Sequence, residues 1–201
     1  GFYTHTQLAD ASTDIVASLR AGSEPLDDDA LLLAGHSLGG KLAMMLASGG
    51  VTHRGVFAID PVDAGDPSVV PQRMGQLSQP LVLLGETTNG SGGLFGQNCA
   101  PLAENFQQAY AAAAVPVAEL ELVGANHMSF LDNPNCGLAC AACPAGTDQP
   151  ATTLAITRRA FVAFAWQVLA DHPDARDALV GAGVRADVDA GRVALRTKNG
   201  F

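Results

Sequence analysis

Three consecutive leucines set the limits on what this chain can become. Leu31, Leu32 and Leu33 run without polar alternation, the mark of a strand covered on both faces. Gly35-His36-Ser37-Leu38-Gly39 follows at once, and beyond it Leu42, Met45 and Leu46 recur at helical spacing. Buried strand, G-x-S-x-G turn and helix, in that order, form the local structure that presents a serine as a nucleophile. Sterics explain the residue types: a serine on a sharp turn, hydroxyl outward, needs nearly side-chain-free neighbours two positions away. The helix behind it offers N–H groups and a positive dipole end to a developing oxyanion, which makes Leu38 the candidate oxyanion-hole donor.

The rest of the chain repeats the alternation. Residues 6–21 read as a helix with Leu8, Ala11, Ile15 and Leu19 on one face and Gly22 as its stop. Val56 to Ile59 and Leu81 to Leu84 are further buried strands, separated by a Pro/Gly/Asp-rich loop. A Gly-rich loop runs from Thr87 to Cys99, residues 101–114 read as a helix, and Val117 to Val123 as a fourth strand. Leu154 to Leu169 is a strongly apolar helix, and Arg192 to Thr197 is either a short strand or a solvated end. Strands alternating with helices predict a mostly parallel sheet flanked by helices in one domain spanning residues 1–201. Active groups in such sheets gather at the carboxyl ends of strands, where Ser37, Asp60, Glu86 and His127 all fall.

A serine hydroxyl is inert at neutral pH without a base to take its proton and a carboxylate to orient that base. His127 is the candidate base, in a loop after a strand and downstream of Ser37. His36 lies inside the turn and is expected to point away. The acid is Asp60, which ends the strand after the turn, or Glu86, which ends the next one; position alone does not separate them. Activity is expected to rise with pH through a group titrating near ~6.5–7, the base.

Composition narrows the partners. The net charge of −9 argues against nucleic acid and anionic membranes. Hydrophobic content of 48% and mean hydropathy of +0.18 indicate a folded core, and no apolar run approaches the ~18 residues of a membrane span. Four cysteines, Cys99, Cys136, Cys140 and Cys143, have spacing unlike a zinc site and predict two disulfides in a secreted or periplasmic protein.

Gly-His-Ser-Leu-Gly-Gly-Lys, then Ile59-Asp60-Pro61-Val62-Asp63, then Asn98-Cys99-Ala100-Pro101 with Asn105-Phe106, resembles the chlorophyllase family of α/β-hydrolases. Asn126-His127-Met128-Ser129-Phe130-Leu131-Asp132 resembles its Gly-His-Met-Asp segment, and Cys140 and Cys143 lie where the family carries a cysteine pair. The resemblance spans about residues 33–170 and implies the α/β-hydrolase fold, with Asp60 as the acid. It departs from plant members at Leu38, where they carry Arg, and at Asn126 and Ser129. Bacterial chlorophyllase-like esterases and cutinase-like polyester hydrolases look nearer.

The expected activity is serine carboxylic-ester hydrolysis on a small-molecule or polymeric ester, with no metal or organic cofactor. Leu94, Phe95, Met128 and Phe130 are the candidate apolar substrate contacts. A non-catalytic or partial hydrolase, or a thioesterase or acyltransferase on the same residues, is the alternative. The fold normally has several strands before the serine turn, whereas the 36 residues preceding Ser37 read as one helix and a loop. An incomplete chain, with an N-terminal fragment of the same protein as partner, is therefore expected.

Overall fold

The computed structural model describes residues 2–22, 27, 30–89, 98–133, 137, 140 and 143–201. Five strands form one sheet in sequence order: β1 (Leu32–His36), β2 (Gly55–Ile59), β3 (Leu81–Glu86), β4 (Val117–Leu122) and β5 (Val193–Lys198). The first four are parallel and β5 returns antiparallel on β4. The protein is of the α/β class.

Alternation along the strands sends side chains into two separate cores. Val56, Ala58, Leu81, Leu83 and Val117 meet α2 (Leu38–Ser48) and α3 (Phe106–Ala112), with α1 (His5–Arg20) packed on α2. Phe57, Val82, Leu84, Ala118, Leu120 and Leu122 meet the long α4 (Pro150–Ala170), with α5 (Ala175–Val180) and α6 (Ala182–Asp189) completing that layer. The result is three layers, helix, sheet and helix, which explains why the central strands read as unbroken apolar runs.

Several expectations shift. α3 is shorter than residues 101–114, because the Asn105 side chain accepts from the Gln107 N–H at 3.0 Å and caps the helix there. The stretch that could have been a solvated end is β5. There, Arg196 reaches from the partner strand to Glu119 (Nε–Oε1 2.8 Å), a carboxylate only 1% exposed on β4. The α1 face of Ala11, Ile15 and Leu19 is turned to solvent, and Ala9 on the opposite side is the helix's buried residue.

Among the described residues β1 has one neighbour, β2. The Arg54 N–H bonds Leu31 O at 2.8 Å and the Ser37 N–H bonds Ile59 O at 2.9 Å, so odd-numbered residues face β2. The backbone groups of Leu32, Ala34 and His36 therefore face the open edge, and Ala34 is exposed in mid-strand.

Disulfide Cys99–Cys143 ties the segment before α3 to the segment before α4. It joins positions 44 apart, a span for which chain-entropy arguments give about 4 kcal/mol of stabilisation. Cys140 is also disulfide-bonded. No helix among the described residues is long and apolar enough to cross a membrane.

Candidate active site

Ser37 sits between β1 and α2 with φ 56° and ψ −122°, a backbone region L-residues rarely occupy. The turn is this sharp because Gly35 and Gly39 touch. A Cβ on Gly35 would lie 2.3 Å from the Gly39 carbonyl carbon, whereas one on Gly39 would meet nothing within 4 Å. Of the two glycines only the first is demanded by packing. Ser37 occupies the N-cap position of α2 without capping it through its side chain, which leaves the hydroxyl available elsewhere.

That hydroxyl lies 2.9 Å from His127 Nε2. On the other side of the ring, His127 Nδ1 is 2.6 Å from Asp60 Oδ2. With Asp60 ionised, its carboxylate only accepts, so Nδ1 carries the ring proton and Nε2 is left to accept from Ser37. The three side chains come from the ends of β1 and β2 and from the turn after β4. Asp60 has φ 39°, so Ser37 and Asp60 both stand on strained turns. Its N–H is held by Leu84 O at 2.8 Å. Of the two acid candidates, the structure brings Asp60 to the imidazole.

The His127 loop is built by a neighbour. Asn126 Oδ1 accepts from the Met128 N–H at 2.9 Å, and its Nδ2 donates to Pro144 O at 2.7 Å. Ser129 Oγ accepts from the Asn126 N–H at 3.0 Å and lies 3.1 Å from Asp148 Oδ1. Asn126 therefore folds an Asx turn around the histidine and pins it to the segment before α4. An Asn immediately before the candidate base was the available signal.

His36 does not point away. Its ring packs on that of His127 with centroids 4.6 Å apart, and its Nε2–H donates to His127 O at 2.9 Å. Burial, and then the nearby His127 charge, lower its pKa to about 4, so it stays a neutral donor. Phe130 is buried in the core against α4, 6.0 Å from the His36 ring. Met128 lines a cleft of about 590 Å³ beside Asn126, Ser129, Cys140, Cys143 and Asp148. Leu94 and Phe95 lie outside the described residues.

Burial sets the titration of the site. Asp60 is fully buried, which pushes its carboxyl well above the usual range. Burial also lowers His127, with the Glu86 charge opposing. The imidazole accepts the serine proton only when neutral, so a lowered pKa extends the competent form to more acid pH. The acid limb of kcat/KM should therefore have its midpoint below the ordinary histidine value of ~6.5 rather than at 6.5–7. A pH series from about 4 to 8 on a neutral ester measures it; a midpoint above ~6.5 contradicts the burial argument.

A serine, an imidazole and a carboxylate bonded in series can make the hydroxyl a nucleophile. No family model and no curated protein sequence matches this chain.

Proposed function

We propose that this chain is a serine carboxylic-ester hydrolase of the α/β-hydrolase type, related to the chlorophyllase-like and cutinase-like esterases. The observation that carries the reading is the pair of contacts at His127, 2.9 Å to Ser37 Oγ and 2.6 Å to Asp60 Oδ2. They join residues 90 and 67 positions apart. Strain at both Ser37 and Asp60 supports it, since strained backbone is a cost that functional sites retain.

His127 Nε2 takes the serine proton as Oγ attacks the ester carbonyl, and Asp60 stabilises the imidazolium. The oxyanion is held by the Leu38 N–H, which opens α2 and has no partner within the helix. As the tetrahedral intermediate collapses, the bond to the leaving alcohol breaks and Nε2 returns the proton to that oxygen. Water then attacks the acyl-serine, passes its proton to Nε2, and the carboxylic acid leaves as Ser37 Oγ is reprotonated.

The open edge of β1 lies beside the nucleophile. A further strand pairing there would bring the second oxyanion donor. Met128, the residue after His127, is the described apolar side chain nearest in sequence to the base, and an apolar group on a small or polymeric ester is the part it would meet. The Cys99–Cys143 disulfide is compatible with an extracellular location.

A fluorophosphonate probe tests the reading directly. It should form one adduct, located on Ser37 by peptide mass mapping, and prior denaturation should abolish it. An unmodified Ser37 in the folded protein would overturn the proposal.

A further inference from the structure

Glu86 is a buried carboxyl that the relay does not use. It closes β3, the strand between Asp60's strand and the one preceding His127, and is 1% exposed. The register Ile59↔Leu84 places Asp60 beside Gly85 and one position from Glu86. On its other side Glu86 pairs with apolar Leu122 of β4, while Glu121 is bonded by Gln107 Nε2 at 3.1 Å. Among the described residues, the charges that act on Glu86 are those of Asp60 and His127. Its own polar contacts are local: Oε2 accepts from the Thr88 N–H and from Thr88 Oγ1 at 2.8 Å. Asp60 Oδ1, for its part, is buried with no hydrogen-bond partner among the described residues.

Two buried carboxyls therefore sit at adjacent strand ends, Asp60 bonded to the imidazole and Glu86 at the end of the strand between Asp60's strand and the one that leads to His127. While that ring is neutral, two anions would repel in a dry site, so ionising the second carboxyl is disfavoured. Burial, and then the Asp60 charge, raise Glu86 to about 7, against the Thr88 hydrogen bonds and His127. When the ring takes up the serine proton, the cation that appears favours the ionised form of both carboxyls.

Resting on the hydrolase reading above, we infer that Glu86 is a second positioning carboxylate of this site, acting through His127 to stabilise its imidazolium alongside Asp60. Bulk solvent does not reach Glu86 to screen it, so its charge is felt strongly at the ring.

The test is a double-mutant cycle in Asp60→Asn and Glu86→Gln, with kcat/KM for a p-nitrophenyl ester at about pH 8, where Glu86 is ionised. Gln keeps an acceptor for the Thr88 N–H, so the turn survives and only the charge is lost. Glu86→Gln should cost a few-fold in the wild-type background and about ten-fold or more when Asp60 is already Asn. It should also move the NMR titration of the His127 ring to lower pH. Equal factors in both backgrounds together with an unmoved titration would overturn the inference and leave Glu86 as a fastener of the Thr88 turn. If the fluorophosphonate probe fails to label Ser37, the hydrolase reading falls, and the His127 titration in Glu86→Gln still decides the coupling.

Discussion

Ser37→Ala is expected to lower kcat/KM for a p-nitrophenyl ester by about 10⁴-fold or more. On the proposed chemistry the loss is large because the serine, imidazole and carboxylate would act as a unit. Without the nucleophile, the oxyanion donor and the base have no acyl-enzyme to form. The fold should be unaffected. Ser37 caps nothing through its side chain, so the deletion removes one hydrogen bond to a ring that Asp60 still holds at 2.6 Å. A companion variant, Ser37→Gly, should be equally inactive yet more stable than wild type by about 1 kcal/mol, because glycine relieves the strain at φ 56°. Matching far-UV circular dichroism and cooperative thermal melts, that of Ser37→Gly higher by roughly 2–4 °C, establish that both variants are folded. Near-native turnover in Ser37→Ala would defeat the proposed chemistry.

The parts of this molecule legible in its sequence are those whose cause is local. Val56–Ile59 and Leu81–Leu84 announce buried parallel strands because helices cover both faces and no position along them has to be polar, whereas Leu31–Leu33, which reads the same way, leads into the edge strand β1, where Leu33 alone is buried. The turn at Ser37 was legible because a steric demand leaves a glycine signature at position 35. Contacts made only by the fold were not. The acid stayed ambiguous between Asp60 and Glu86 because both follow strand ends. Strand order and backbone at positive φ decide which one reaches the ring, and a single sequence displays neither. His36 was misplaced for the same reason, since its partner is the carbonyl of a residue 91 positions away. β5 was undecided because Val193 and Leu195 alternate with Arg, Thr and Lys. Its identity as a strand depends on β4, in particular on Glu119 needing Arg196. The exposed apolar face of α1 shows the limit of periodicity: helical spacing identifies a helix, not what covers it.

Lys41 closes the Gly-His-Ser-Leu-Gly-Gly-Lys stretch, and its substitution should have the largest effect on stability. Lys41→Met is expected to destabilise the protein by about 3–5 kcal/mol, a drop in Tm of roughly 6–20 °C for a chain of this size. The side chain lies one turn into α2 and is fully buried. Its Nζ donates to Ala64 O at 2.8 Å and Gly65 O at 2.9 Å, and sits 3.3 Å from Asp63 Oδ1. Asp63 in turn accepts from the Val70 N–H at 2.8 Å and from Ser68 Oγ at 2.6 Å. One cation thus fastens the helix behind the nucleophile to the loop leaving Asp60, and a methionine of similar length leaves a carboxylate and two carbonyls buried without it. If the ion pair is the cause, Lys41→Met/Asp63→Asn should recover part of the loss, because the stranded negative charge is then gone. A Tm within about 2 °C of wild type for Lys41→Met would show that this loop does not depend on Lys41. Because the same loop holds the strained turn at Asp60, folded Lys41→Met should also lose kcat at temperatures well below its melt. Asp60→Asn, by contrast, should lose kcat while largely preserving the fastening by Lys41. Measuring both variants at one low temperature therefore separates a residue that shapes the site from one that stabilises charge within it.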